Sequence, residues 1–132
     1  VTMSIGRMAH HVADRLGFHG FDAVVSGDDV VASKPHPEPY LKGAAALGVD
    51  PRYCVALEDS VPGIASARAA GTTVIGIPFI VPIEEGSAHV LWPPLEGRTL
   101  ADLGRVLATS AAMCATRFAA RAGRSEPATA CS

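Results

Sequence analysis

Two adjacent carboxylates and a hydroxyl, Glu58-Asp59-Ser60, follow directly on the apolar run Tyr53 to Leu57, and a lone lysine, Lys34, sits in the proline-stiffened stretch Ser33-Lys34-Pro35-His36-Pro37. Thr2 and Ser4 add hydroxyls near the start, and Ser26-Gly27-Asp28-Asp29 follows a second β-prone run, Phe21 to Val25. Hydroxyls, an ammonium and a carboxylate pair gathered at one edge would suit a phosphate together with Mg²⁺, which takes one or two carboxylates and completes its shell with waters and substrate oxygens. Each group also has an ordinary reading. Acidic and hydroxyl residues favour helix N-termini, so Glu58-Asp59-Ser60 could be a capping segment, with Ser60 the best placed to cap. A lone lysine is usually solvated, a strand threonine is commonplace, Asp28 and Asp29 suit a turn or cap, and His36 is a polar loop residue without an assigned role.

The elements that must position these groups follow from punctuation and periodicity. Ile5, Met8, Val12 and Leu16 fall on one helical face, with Ser4 as the expected N-cap and Gly17 as the terminator. Val1 to Ser4 has the character of a strand end, and Phe21 to Val25 of a short strand. The prolines at 35, 37 and 39 lead into a helix expected from Glu38 to Leu47, stopped by Gly48. Tyr53 to Leu57 reads as a buried strand, Val61 to Ala70 as a helix ended by Gly71, and Thr72 to Ile77 as a second buried strand stopped by Pro78. His89 to Trp92 reads as an edge strand and Thr99 to about Leu107 as a last helix. Apolar strands alternating with helices of about ten residues indicate an α/β fold, a parallel sheet with helices on both sides. In such sheets ligands bind at the carboxyl ends of the strands, where the groups named above lie.

Composition narrows the classes of function. The chain is 48% hydrophobic and 18% charged against an average near ~25%, with mean hydropathy +0.27, which excludes general disorder. A net charge of −2 gives no basic field, so nucleic acid and membrane surfaces are not expected partners; Arg117, Arg121 and Arg124 read as the solvated face of a terminal helix. The uncharged stretch Ala69 to Ile83 is shorter than the ~20 residues of a spanning helix and carries Pro78 and Pro82. Cys54, Cys114 and Cys131 form no CxxC pair and read as reduced thiols, and no basic-then-apolar segment opens the sequence, so a cytoplasmic location is expected.

Taken in order, Ser33-Lys34-Pro35-His36-Pro37-Glu38-Pro39-Tyr40, Leu47-Gly48-Val49-Asp50-Pro51, Leu57-Glu58-Asp59-Ser60-Val61-Pro62-Gly63-Ile64 and Ala69-Ala70-Gly71 resemble the haloacid dehalogenase superfamily, in the branch of phosphoglycolate phosphatases and β-phosphoglucomutases. The resemblance covers Val1 to about Leu107. It implies a Rossmann-like three-layer core and a Mg²⁺-dependent phosphatase or phosphomutase acting on a small phosphorylated metabolite, such as a sugar phosphate, through an aspartyl-phosphate. It gives Thr2 the second-motif hydroxyl and Lys34 the third-motif lysine, both phosphate-binding and catalytic, and gives Glu58 and Asp59 the acidic metal-binding motif. Residues 1–107 are then part of the core, and 108–132 an Ala- and Arg-rich helical extension with a disordered tail.

The family's nucleophile is the first aspartate of an Asp-x-Asp pair, and no Asp-x-Asp occurs in these residues. The expected sheet therefore lacks its central first strand, and the chain alone is expected to be inactive. Its exposed strand edges would favour self-association. The alternative is a truncated, non-enzymatic chain that binds phosphate weakly or needs a partner strand.

Overall fold

The computed structural model describes residues 1–16 and 20–122. Its centre is a three-stranded parallel sheet in the order β1 (Val55–Glu58), β2 (Thr73–Gly76), β3 (Val90–Leu91), with Val55 opposite Thr73 and Ile75 opposite Val90. Four helices accompany it: α1 (Gly6–Arg15), α2 (Glu38–Ala46), α3 (Val61–Ala69) and α4 (Leu100–Ala122). The α/β class and parallel sheet expected from the sequence are both present.

β2 is the middle strand and is buried along its whole length. Val74 and Ile75 point to opposite faces and are both fully buried, so both faces of the sheet are covered there. One face packs Ala56 and Val74 against Ile64 and Ala67 of α3, joined by Ile83 and Ala88 and flanked by Tyr40 and Leu91. Gly76 lies on that same face, where an added Cβ would come within 2.7 Å of Leu91, so a side chain there would push β3 aside. The turns that end α2 and α3 use Gly48 (φ +67°) and Gly71 (φ +85°), left-handed conformations that glycine adopts without a Cβ penalty.

Several boundaries differ from the sequence reading, each for a local reason. Val1–Ser4 and Phe21–Val25 are not strands. They lie side by side joined by one backbone hydrogen bond, Thr2 N to Val25 O (2.8 Å), with Gly27 N to Ser4 O (2.9 Å) just beyond, too few for a ladder. Ser4 does not cap α1, because Ile5 occupies that position; instead Asp28 reaches across, its carboxylate accepting from Gly6 N at 2.6 Å. Asp29 closes its own turn by accepting from Ser26 N and Ser26 Oγ, so Asp28 and Asp29 are indeed turn and cap residues. β1 begins at Val55 rather than Tyr53, since Asp50, capping through Arg52 N, winds Pro51–Tyr53 into a 3₁₀ turn, and the strand extends to include Glu58.

α4 runs through Ala122, so the last helix and the expected Ala- and Arg-rich helical extension are continuous over the described residues, as their alanine content allows. Gly17, Cys131, Arg124 and the expected tail lie outside the described residues, as do the side chains of Cys114, Arg117 and Arg121; Cys54 is a free thiol. Among the described residues no helix is long and apolar enough to cross a membrane, and no strand pairs with the outer edge of β1.

Candidate active site

An open cleft of about 510 Å³ lies between the Val1–Ser4 segment and the carboxyl end of β1, and all four expected site residues line it: Thr2, Lys34, Glu58 and Asp59. Ser4 and Ser60 complete its polar wall. The chain brings these groups together because β1 delivers Glu58 at its last position while Ser60, one residue beyond Asp59, starts α3. Ser60 Oγ accepts from Gly63 N at 3.2 Å, so the capping reading of this residue holds alongside its place in the cleft. The N-terminus of α3 thus opens beside Asp59, and its partial positive charge favours anionic groups there.

Glu58 and Asp59 are neighbours in sequence but differ in environment. Asp59 is exposed, and no described residue donates a hydrogen bond to its carboxylate. Glu58 is 6% exposed and fully engaged. Its Oε1 accepts from both the Lys34 ammonium and the Tyr40 phenol, and its Oε2 from Ser60 Oγ at 3.1 Å. A carboxylate and an ammonium removed from water are tolerable only when paired and hydrogen-bonded, as they are here. Gly63 makes room for the pair: a Cβ at that position would stand 1.8 Å from Glu58 Oε2.

Lys34 is held from two further sides. Its ammonium lies 5.1 Å from the centre of the Tyr40 ring, within cation–π range. Burial, and then the hydrogen bond to Glu58, push the Tyr40 phenol well above its usual value, so it remains a donor. The loop that carries Lys34 is fastened by Glu38, whose two carboxylate oxygens accept from Val31 N at 3.0 Å and Ala32 N at 2.9 Å. Those two backbone donors, with Lys42 adding to them, hold the Glu38 carboxyl down to about 2. Ser66 Oγ of α3 donates to His36 O at 2.6 Å and ties the same loop to the core. His36 Nδ1 accepts from Glu38 N at 3.2 Å, a local turn contact.

Tyr40 and Glu38 stand in the motif that carries the family resemblance, but sequence reasoning assigns neither a role in the site. The signal for Tyr40 is that a tyrosine whose ring packs on a core needs a partner for its hydroxyl. Glu38 reads as a first-turn acidic residue. Thr2, by contrast, lines the cleft as expected, with its Oγ1 accepting from Ser4 N at 3.2 Å.

Such donors could hold a hard cation that shares its shell with a ligand. Asp59 offers an open carboxylate, Glu58 lies behind it, and among the described residues no group of three or more His, Cys, Asp or Glu could enclose a metal alone. Magnesium suits such an edge, since it keeps waters and substrate oxygens in its shell.

Residues 1–71 match the family of haloacid dehalogenase-like hydrolases. Hexitol phosphatase B of Escherichia coli (strain K12) is 53% identical over 58 residues, 44% of this chain and 26% of that protein. CbbY of Rhodobacter sphaeroides, solved in complex with phosphate, superposes with a TM-score of 0.59 at 36% identity, covering 64% of this chain and 39% of that one. The β-phosphoglucomutase of Clostridium difficile superposes at 0.68 over 77% of this chain and 45% of its own, and at 22% identity it speaks for the Rossmann-like fold alone. The chain therefore spans about a quarter of the curated relative (26%) and less than half of each of these solved structures (39% and 45%). On motif order, fold and these likenesses together, the chain belongs to the haloacid dehalogenase-like hydrolases, in their phosphoglycolate phosphatase and β-phosphoglucomutase-like branch.

Proposed function

We propose that this chain carries the phosphate- and metal-handling part of a Mg²⁺-dependent phosphatase or phosphomutase that acts on a small phosphorylated metabolite, such as a sugar phosphate, through an aspartyl-phosphate. The observation that carries this reading is the Lys34–Glu58 ion pair set in one cleft with the open carboxylate of Asp59. The phosphatase activity named for hexitol phosphatase B and the phosphate held by CbbY support the substrate class. On this reading residues 1–107 form the core and 108–132 an extension that begins within α4.

A phosphoryl group in transfer spreads negative charge over its equatorial oxygens. Lys34 offers its ammonium to that charge, and Thr2, which lines the same cleft, a hydroxyl donor. Asp59 would hold Mg²⁺, and Glu58, already committed to Lys34, would orient its waters. The metal, when bound, would neutralise charge on the phosphate oxygens. No Asp-x-Asp occurs in the 132 residues, so the nucleophilic carboxylate must come from outside them, and these residues alone are inactive on this reading.

Calorimetric titration of inorganic phosphate in the presence of Mg²⁺ tests the site. Lys34→Ala should weaken phosphate binding at least about tenfold, the scale of a lost charge-assisted hydrogen bond. Asp59→Asn should abolish the dependence on Mg²⁺. Binding unchanged in both variants would sink the assignment, and turnover of p-nitrophenyl phosphate by the 132 residues alone would overturn the claim about the nucleophile.

The free edge of β1 favours a second reading, in which the chain takes a strand from a partner or from another copy of itself. A monodisperse monomer across a concentration series in light scattering would speak against it.

A further inference from the structure

We propose that Tyr40 is a positioning residue that assigns different tasks to the two neighbouring carboxylates: its phenol takes a share of the Glu58 carboxylate while its ring lies over Lys34, so that Glu58 stays occupied without monopolising the lysine and Asp59 is left as the carboxylate open to the cleft. The inference deepens the reading above and rests on it wherever phosphate is concerned.

The geometry gives Tyr40 two contacts with one ion pair. Its O–H donates to Glu58 Oε1, the same oxygen that accepts from Lys34, and its ring lies 5.1 Å from the Lys34 ammonium. The body of the ring packs on the buried cluster formed by Ala56, Ile64, Ala67 and Val74, so the hydroxyl is delivered from a fixed base. A carboxylate has about four lone-pair sites. Three donors, Lys34, Tyr40 and Ser60, occupy Glu58 and leave little for a cation. Asp59 accepts from no described residue and faces the cleft.

Removing only the phenol oxygen leaves Glu58 Oε1 with one donor fewer. That oxygen then draws more strongly on the lysine and competes with an incoming anion for the ammonium. Tyrosine, on this argument, moderates the grip of Glu58 on Lys34, so that phosphate can share the cation.

The chain contains two lysines, Lys34 and Lys42, which makes the test clean. Carbon–proton NMR of the lysine CεH₂ groups, with inorganic phosphate titrated at saturating Mg²⁺, follows Lys34 directly. In the parent chain its signal should lie upfield of Lys42, from the ring current of Tyr40, and move with phosphate. In Tyr40→Phe the upfield position should persist while the phosphate midpoint rises about tenfold, the effect of one hydrogen bond to a charged group. In Tyr40→Leu the upfield position should collapse onto that of Lys42. A Tyr40→Phe midpoint within about twofold of the parent overturns the proposal, as does an upfield Lys34 signal that survives in Tyr40→Leu. If phosphate moves Lys34 in none of the proteins, the phosphate reading fails, and the Tyr40→Leu spectrum alone decides the hold of tyrosine on lysine: collapse supports it and persistence overturns it.

Discussion

Helices α1 and α3 have opposite relations between pattern and burial. Along α1 and its cap, Ile5, Met8, Val12 and Leu16 form a regular apolar stripe, yet each is about half exposed (51, 57, 56 and 47%), and the helix buries none of its residues. α3 has little amphipathic pattern, but Gly63, Ile64, Ser66 and Ala67 are all buried. Small residues let α3 approach β1 and β2 closely, and Gly63 leaves space that the Glu58 carboxylate fills. A stripe forecasts a helix; burial depends on whether a complementary surface meets it. The candidate site follows the second helix, since the N-cap of α3, Ser60, lines the cleft, while α1 buries none of its residues and is capped by the Asp28 carboxylate.

Four substitutions would sharpen or break this contrast, and urea unfolding midpoints would measure all of them. Ile75→Ala, which empties a fully buried position of β2, should cost about 2–5 kcal/mol. Gly63→Ala should cost about 1–3 kcal/mol, although alanine is the better helix former, because its Cβ cannot coexist with Glu58 as placed. The same variant should lose phosphate binding; a gain in stability with binding intact would show that Glu58 does not need this space. Asp28→Ala removes the 2.6 Å bond to Gly6 N and should cost about 1 kcal/mol. Met8→Ala should change stability by less than about 0.5 kcal/mol. Should Met8→Ala instead rival Ile75→Ala, the stripe of α1 is covered in solution and the contrast between the helices disappears.

The central part of the fold was legible because its punctuation is local. Gly48 and Gly71 end helices, Pro78 follows a strand, and the runs before Glu58 and Gly76 are apolar on both faces. The outer part was not. Val1–Ser4 and Phe21–Val25 have strand-like composition, but a strand is defined by its neighbours, and these segments share a single backbone hydrogen bond. Of the site, Lys34, Glu58, Asp59 and Thr2 could be picked out by their resemblance to a family, and one cleft contains them all. What no linear reading could supply was the division between Glu58 and Asp59. That division depends on Lys34, 24 residues away from Glu58, and on Tyr40, 18 residues away, arriving at the same oxygen.

The bidentate hold of Glu38 on the amides of Val31 and Ala32 has a thermodynamic consequence for recognition. A lysine on a loose loop must be immobilised each time an anion arrives, and an ordered rotamer-rich side chain costs association about 0.5–1.5 kcal/mol. Here the loop is moored to the first turn of α2, so Lys34 is ordered when the chain folds. The entropy of arranging the cation is then settled during folding, and on the proposed reading a phosphate entering the cleft would meet a charge that is already in place.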